Sequence, residues 1–335
     1  MATYITRRTL QAVLVLLGLT VLFFALLHAQ PGGPCTYILA TPTPSSQSRY
    51  DTCLVARGLD KPIYVQYVKW VGAVAHGDFG QDYTGRPVSD SIKERLPATI
   101  ILIGFAYILQ QLVAIPLGLI GAIKRYSIYD QVFTLLSYIG LSLPVFWLGL
   151  VLALFGSVIL GWFPPGGIIS PNSPSPPFGT SGYWSYLLAH PLSTIGDLAW
   201  HMVLPALTFA IIGIAADSRF MRASMLDVIG QDYVRTARAK GLPQRTVMLK
   251  HALRNALLPI VTNVGLFIPS LVSGAIITES IFGWPGMGLY FRTALGNHDN
   301  NTLQSILLLT ALFTLIGNLA ADLMYAVVDP RIRYD

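Results

Sequence analysis

Six long apolar stretches, at about 9–28, 99–122, 132–161, 199–216, 256–280 and 303–328, constrain this chain more than any other feature. A bilayer core is spanned by roughly 20 apolar residues of α-helix. Within lipid, each backbone polar group must find its partner inside the protein, so such runs are expected to be helical. Only 11% of the 335 residues are charged, against about 25% in a soluble domain. So few charges cannot cover a water-soluble surface of this size, and the apolar excess must face lipid. The expected fold class is an all-α membrane protein with six transmembrane helices.

Charge placement gives a direction. The net charge of +6 would suit a nucleic-acid surface, but the basic residues sit beside the apolar runs, as membrane anchors do. With the N-terminus in the cytoplasm, four inner segments hold 14 of the 22 Lys and Arg: Arg7 and Arg8, then Lys124 and Arg125, then eight residues of 217–255, then Arg331 and Arg333. Both termini are then cytoplasmic. Arg7 and Arg8 before an apolar run also resemble a signal peptide. However, Leu10 to Leu27 is long for one and no A-x-A site follows, so an uncleaved helix is expected.

The third run contains Gly140 and Pro144, which predict either a mild packing kink or a broken helix lining a pathway. Residues 29–98 form an external cap segment with its own aromatic positions and short helices, one opened by Pro62. Both cysteines, Cys35 and Cys53, lie in it. On an oxidising side they could pair, and the sequence leaves that pairing open. In the second external segment, 162–198, the six prolines from Pro164 to Pro177 oppose regular helix, and Tyr183, Trp184 and Tyr186 are expected at the membrane interface.

Residues 217–255 are the one long inner segment, with eight basic residues against Asp217, Asp227 and Asp232. Ser224 and Asp227 have the spacing of a capping box. A helix from Asp232 should stop at Gly241, with Pro243 in the first turn of a second helix. Thr236, Ala237 and Ala239 are small and stand among Arg235, Arg238 and Lys240, which suits close approach by an acidic partner surface. A basic face against anionic lipid is the alternative.

The sequence contains no G-x-x-x-x-G-K-[ST] phosphate loop, no G-x-S-x-G, no H-E-x-x-H and no evident pair of catalytic carboxylates. Catalytic and metal-ligating residues are therefore expected to be none. An ion-coupled secondary transporter would need ionisable groups near mid-bilayer. Asp322 is the best placed, nearer the interface than the centre, while Glu279 and Asp217 sit at run ends. Gln110, Gln111, His201, Asn263 and Asn318 either line a solute path or bond across helices.

The segment Asp232, Tyr233, Val234, Arg235, Thr236, Ala237, Arg238, Ala239, Lys240, Gly241, Leu242, Pro243 resembles the cytoplasmic coupling loop of ABC importer permeases, the EAA motif. Gly241 matches its glycine and Ala237 its second alanine. Arg235 and Thr236 replace Glu and Ala, as in the variant of peptide and nickel importers. Pro31-Gly-Gly-Pro34, Gly58-Leu-Asp-Lys-Pro-Ile63, Gly77-Asp-Phe-Gly80, Glu94-Arg-Leu-Pro-Ala98, Glu279-Ser-Ile-Phe282, Pro285-Gly-Met-Gly288 and Asp329-Pro-Arg-Ile-Arg333 are similar, in order and spacing, to the B-type permease of dipeptide and oligopeptide systems.

This resemblance implies an inner-membrane subunit of an ATP-driven importer. It implies a second homologous permease, two ATP-binding subunits that hold ATP and Mg, and an external substrate-binding protein. Residues 232–243 would couple this chain to the ATPases. Di- or oligopeptides are the implied cargo, with nickel or another small solute as the competitor. The implied organisation is a first helix within 1–28, the cap at 29–98, a five-helix core at 99–328 and a tail at 329–335.

Overall fold

The computed structural model describes residues 2–29 and 45–328, together with Cys35, Leu39 and Thr43. The Pro31–Pro34 motif, the tail 329–335 and the side chain of Asp322 lie outside the described residues. Among those described, the chain is helical, with one isolated β-bridge between Gln81 and Pro87.

Among the described residues, four helices are long and apolar enough to cross a membrane. They are α1 (Ala2–Ala29), α4 (Val88–Ile123), α8 (Pro191–Ile229) and α16 (Asn300–Val328). Between α1 and α4 lie α2 (Ser46–Arg57) and α3 (Ile63–Ala75). Pro62 caps α3, and Tyr67 and Trp70 pack on Phe24 of α1. A disulfide joins Cys35 to Cys53, with Cα atoms 6.1 Å apart. Helix α4 starts at Val88, ahead of the apolar run at 99, and carries Pro97 and Pro116.

The third run is broken, not mildly kinked. Helix α5 (Ile128–Ser142) and helix α6 (Val145–Ala153), which continues as a π-helical turn to Ile159, meet at 100°. Leu143 and Pro144 are extended there, as the clash of a proline ring with the residue before it favours. Counting this pair as one span gives five. The expected fifth continuous span, 256–280, divides into α12 (Leu258–Phe267), α13 (Ser270–Ser273) and α14 (Ile276–Ile281). Pro269 and a left-handed Gly274, φ +77°, interrupt it. Helix α15 (Met287–Gly296) then leads to α16.

The second external segment is irregular only to Thr180, after which α7 (Ser181–Ala189) runs into α8. Tyr183 is not an interfacial ring: it is buried beneath Phe178 and Trp184. His201 bonds through Nδ1 to the Asp197 carbonyl, and Asp197 accepts from Ser170 N, so the histidine is held inside the protein.

Asp82 ties the loop before α4 to its neighbours. It accepts from Thr84 N, Arg86 N, Ser91 Oγ and, at 3.4 Å, Tyr290 Oη. Burial pushes its carboxyl up, but these donors outweigh that and hold it below the ordinary aspartate value. A lowered pKa stabilises the fold fully above the unfolded value of about 3.9 and is lost as pH falls through the folded one. Asp82→Asn should therefore melt a few degrees lower than wild type at pH 7, and melting curves at falling pH should converge below about pH 4. A gap unchanged at pH 3 would refute this.

Candidate functional site

The longest helix, α8, has 39 residues and extends about 58 Å at 1.5 Å per residue, far more than a bilayer core. Its last turns project as helix, so the segment expected as a loop from 217 begins only at Gly230. Ser224 and Asp227 lie inside α8 and form no capping box. The projecting end is anchored laterally: Arg222 of α8 donates through Nη2 to Asp130 Oδ2 of α5 at 2.8 Å and through Nε to Oδ1. Asp130 is 5% exposed, so the paired, planar contact fixes α5 against α8. Neither residue stood out in the sequence, since nothing local to either reveals a partner 92 residues away.

After α8 the chain turns back through α9 (Asp232–Ala239). Asp232 in the first turn suits the helix dipole. At the other end Gly241 takes φ +74° and donates its N–H to the Arg238 carbonyl. A Cβ there would meet open space, so backbone handedness and not crowding demands glycine. Pro243 caps α10 (Gln244–Thr246), which passes through a π-helical stretch, Val247–Ala252, into α11 (Leu253–Ala256). The helix, tight turn, helix expected from the spacing is present.

The two faces of α9 differ. Val234 and Ala237 are buried against Met221 and Met225 of α8 and against Val247, Met248, Ala252 and Ile260. This corrects one expectation: Ala237 is small to seat α9 on its own protein, not to admit another. The small residues left facing out are Thr236 and Ala239, among exposed Arg235, Arg238 and Lys240. Tyr233, Leu242 and Leu249 add exposed apolar surface. Arg235 lies 3.7 Å from Asp232, a pair so exposed that it contributes little. The elbow thus presents a basic, partly apolar outer face and is welded through its inner face to α8.

A match to the model of the binding-protein-dependent transport system inner membrane component covers residues 114–334, elbow included. The chain belongs to that family. The N-terminal membrane component of the same systems matches residues 1–103. An oligopeptide transport system permease protein, AppB of Bacillus subtilis (strain 168), is 41% identical over 336 residues, with all of both chains covered. A dipeptide transport system permease protein, DppB of Escherichia coli (strain K12), is 39% identical over 339 residues, covering 100% of this chain and 99% of its own. A putative peptide permease protein of Brucella suis biovar 1 is 36% identical over 335 residues. The chain is accordingly a multi-pass inner-membrane permease that works with other components of an ABC importer.

Proposed function

We propose that this chain is one of two membrane subunits forming the pathway of an ATP-driven importer of di- or oligopeptides. The observation that carries the reading is the elbow at 230–256: a basic outer face, fixed through Val234 and Ala237 to the longest helix of the molecule. The peptide cargo is taken from the names of the full-length relatives.

In this reading the elbow and both termini face the cytoplasm, and the cap with its cysteines lies outside. The fifth apolar run, though broken, completes six passages of the bilayer. ATP and Mg bind two separate ATPase subunits, a second permease completes the pathway and an external binding protein delivers the peptide. This chain then performs no catalysis. Reversing a two-state protein from 1:99 to 99:1 takes roughly 5.5 kcal/mol of differential binding. A flexible loop would dissipate such a bias, whereas a packed elbow transmits it.

The charge-reversed Arg235→Glu, Arg238→Glu, Lys240→Glu triple variant leaves the buried face intact. It should lose most co-purifying ATPase subunit and at least about 90% of peptide uptake in membrane vesicles, since mismatched charges at an interface cost several kcal/mol. Retention of both at wild-type levels would defeat the proposal.

A further inference from the structure

Deep between α4 and α8 lies an acid with no counter-charge among the described residues. Gln110 is about 17 Å from either end of the apolar run 99–122, taking 1.5 Å per residue, and so stands near the bilayer midplane. Its Nε2 donates to Asp217 Oδ2 at 2.7 Å, and Gln111 Nε2 donates to the same oxygen. Asp217, read from the sequence as the end of a run, is thereby tied to the middle of the α4 run. It is 9% exposed and forms no ion pair among the described residues.

The hydrogen bonding around it is lopsided. Both donors use Oδ2, and Oδ1 accepts no bond among the described residues. Two further oxygens, Gln111 Oε1 and Tyr107 Oη, are buried without a partner among the described residues. Tyr107, Gln110 and Gln111 share one face of α4, being three and four residues apart. Tyr107 is also stacked on Phe267 of α12, with ring centroids 3.8 Å apart. Gly213 keeps the face of α8 open for the Gln110 side chain, whose carboxamide a Cβ there would strike.

A carboxylate inside a membrane-spanning helix is costly and is ordinarily paired. Here the described residues supply unfilled acceptors and no cation. The fitting guest is compact, positively charged and carries several N–H donors. We propose that Asp217, Gln111 and Tyr107 form a subsite for a primary ammonium group, the free N-terminus of a peptide in transit. This rests on the peptide reading above. The glutamine donors hold Asp217 in place while Oδ1, Gln111 Oε1 and Tyr107 Oη accept from the ammonium. An ammonium bound this way would leave again readily, because neither glutamine nor tyrosine adds charge.

The test uses the assembled transporter in detergent, without its binding protein, and radiolabelled dialanine. Wild type should bind dialanine directly, with N-acetyl-dialanine competing at least about tenfold more weakly than unlabelled dialanine. Asp217→Asn should bind about tenfold more weakly, since a charge-assisted hydrogen bond is lost. Asp217→Glu should retain more than Asn does, and Tyr107→Phe should weaken binding a few-fold. Should Asp217→Asn fail to assemble, Tyr107→Phe, which removes a single oxygen, decides the matter. Equal affinity in wild type and the assembled variants, equal competition by the acetylated peptide, or no direct binding by wild type would each overturn the subsite. Dialanine uptake by wild-type vesicles with loaded binding protein separates the two levels. Uptake without direct binding removes the ammonium subsite alone, whereas absence of any peptide uptake removes the transport reading beneath it.

Discussion

Ala237→Arg should abolish peptide uptake and release the ATPase subunits, although the substituted residue is turned inward onto its own chain. Ala237 is 5% exposed and stands with Val234 in a cluster of methionine and aliphatic side chains from α8 and the stretch 247–260. An arginine cannot keep its charge there without a partner, and none of the cluster residues offers one. The guanidinium must reach solvent, which levers α9 off its seat. The outer face would remain chemically intact but mechanically detached. Three measurements separate this from loss of a docking contact. Uptake in vesicles should fall at least about a hundredfold. Protease cleavage near Arg238 should become much faster than in wild type. Cleavage in the Arg235, Arg238 and Lys240 charge-reversed variant should stay slow after allowance for its lost basic sites, as judged at Arg245. Normal uptake by Ala237→Arg would mean that the elbow need not be seated. Gly241→Pro should act similarly, because proline fixes φ near −65° where this turn needs +74°.

The elbow was legible because its signals are local. Gly241 and Pro243 declare a stop and a start within three residues, and the fold follows them. Which face of α9 turns inward was not legible. Thr236, Ala237 and Ala239 look alike in sequence, and only the methionines of α8, brought back by the turn at Gly230, select Ala237. The apolar runs predicted α1, α4, α8 and α16 well, because hydropathy alone sets those. It could not give the helix ends, since α4 and α8 run on as polar-faced helix beyond the lipid-length stretch. Nor could it show that run 256–280 divides, where Pro269 and Gly274 outweigh hydropathy.

The cross-helix polar contacts were the least visible. Asp217 and Glu279 each looked like the end of a run. A long side chain reaches past its own level, however, and Gln110, from the middle of its run, meets Asp217. The same holds for Asp130 and Arg222, whose pairing depends on how α5 folds back on α8. Such pairs carry no periodicity and no fixed spacing, so the sequence holds their residue types but not their meeting.

Glu279→Ala should be among the most destabilising single changes in the protein. Glu279 is fully buried where the chain reverses between α13 and α15. Oε1 accepts from Thr99 Oγ1 at 2.9 Å and from Ala275 N at 3.2 Å, while Oε2 accepts from Leu289 N at 3.0 Å. Thr99 in turn accepts from Met287 N at 2.7 Å, and Trp284 Nε1 donates to the Ala98 carbonyl at 2.9 Å. One carboxylate therefore holds both arms of the reversal and fastens them to α4. Gly274 and Gly286 make room for it, since a Cβ on Gly286 would strike Thr99 and Glu279 and one on Gly274 would strike Gly288. Truncation to alanine leaves two backbone N–H groups and a hydroxyl without acceptors, at about 1–3 kcal/mol each, and an unfilled cavity besides. A total near 4 kcal/mol is comparable with the whole stability of many folded proteins. Size-exclusion profiles after graded heating should show the transition falling by roughly 10 °C, or no folded protein at all. Thr99→Val removes one donor and should cost much less. It serves as the comparison: were the two variants to melt together within about 2 °C of wild type, Glu279 would not be the fastening of this reversal.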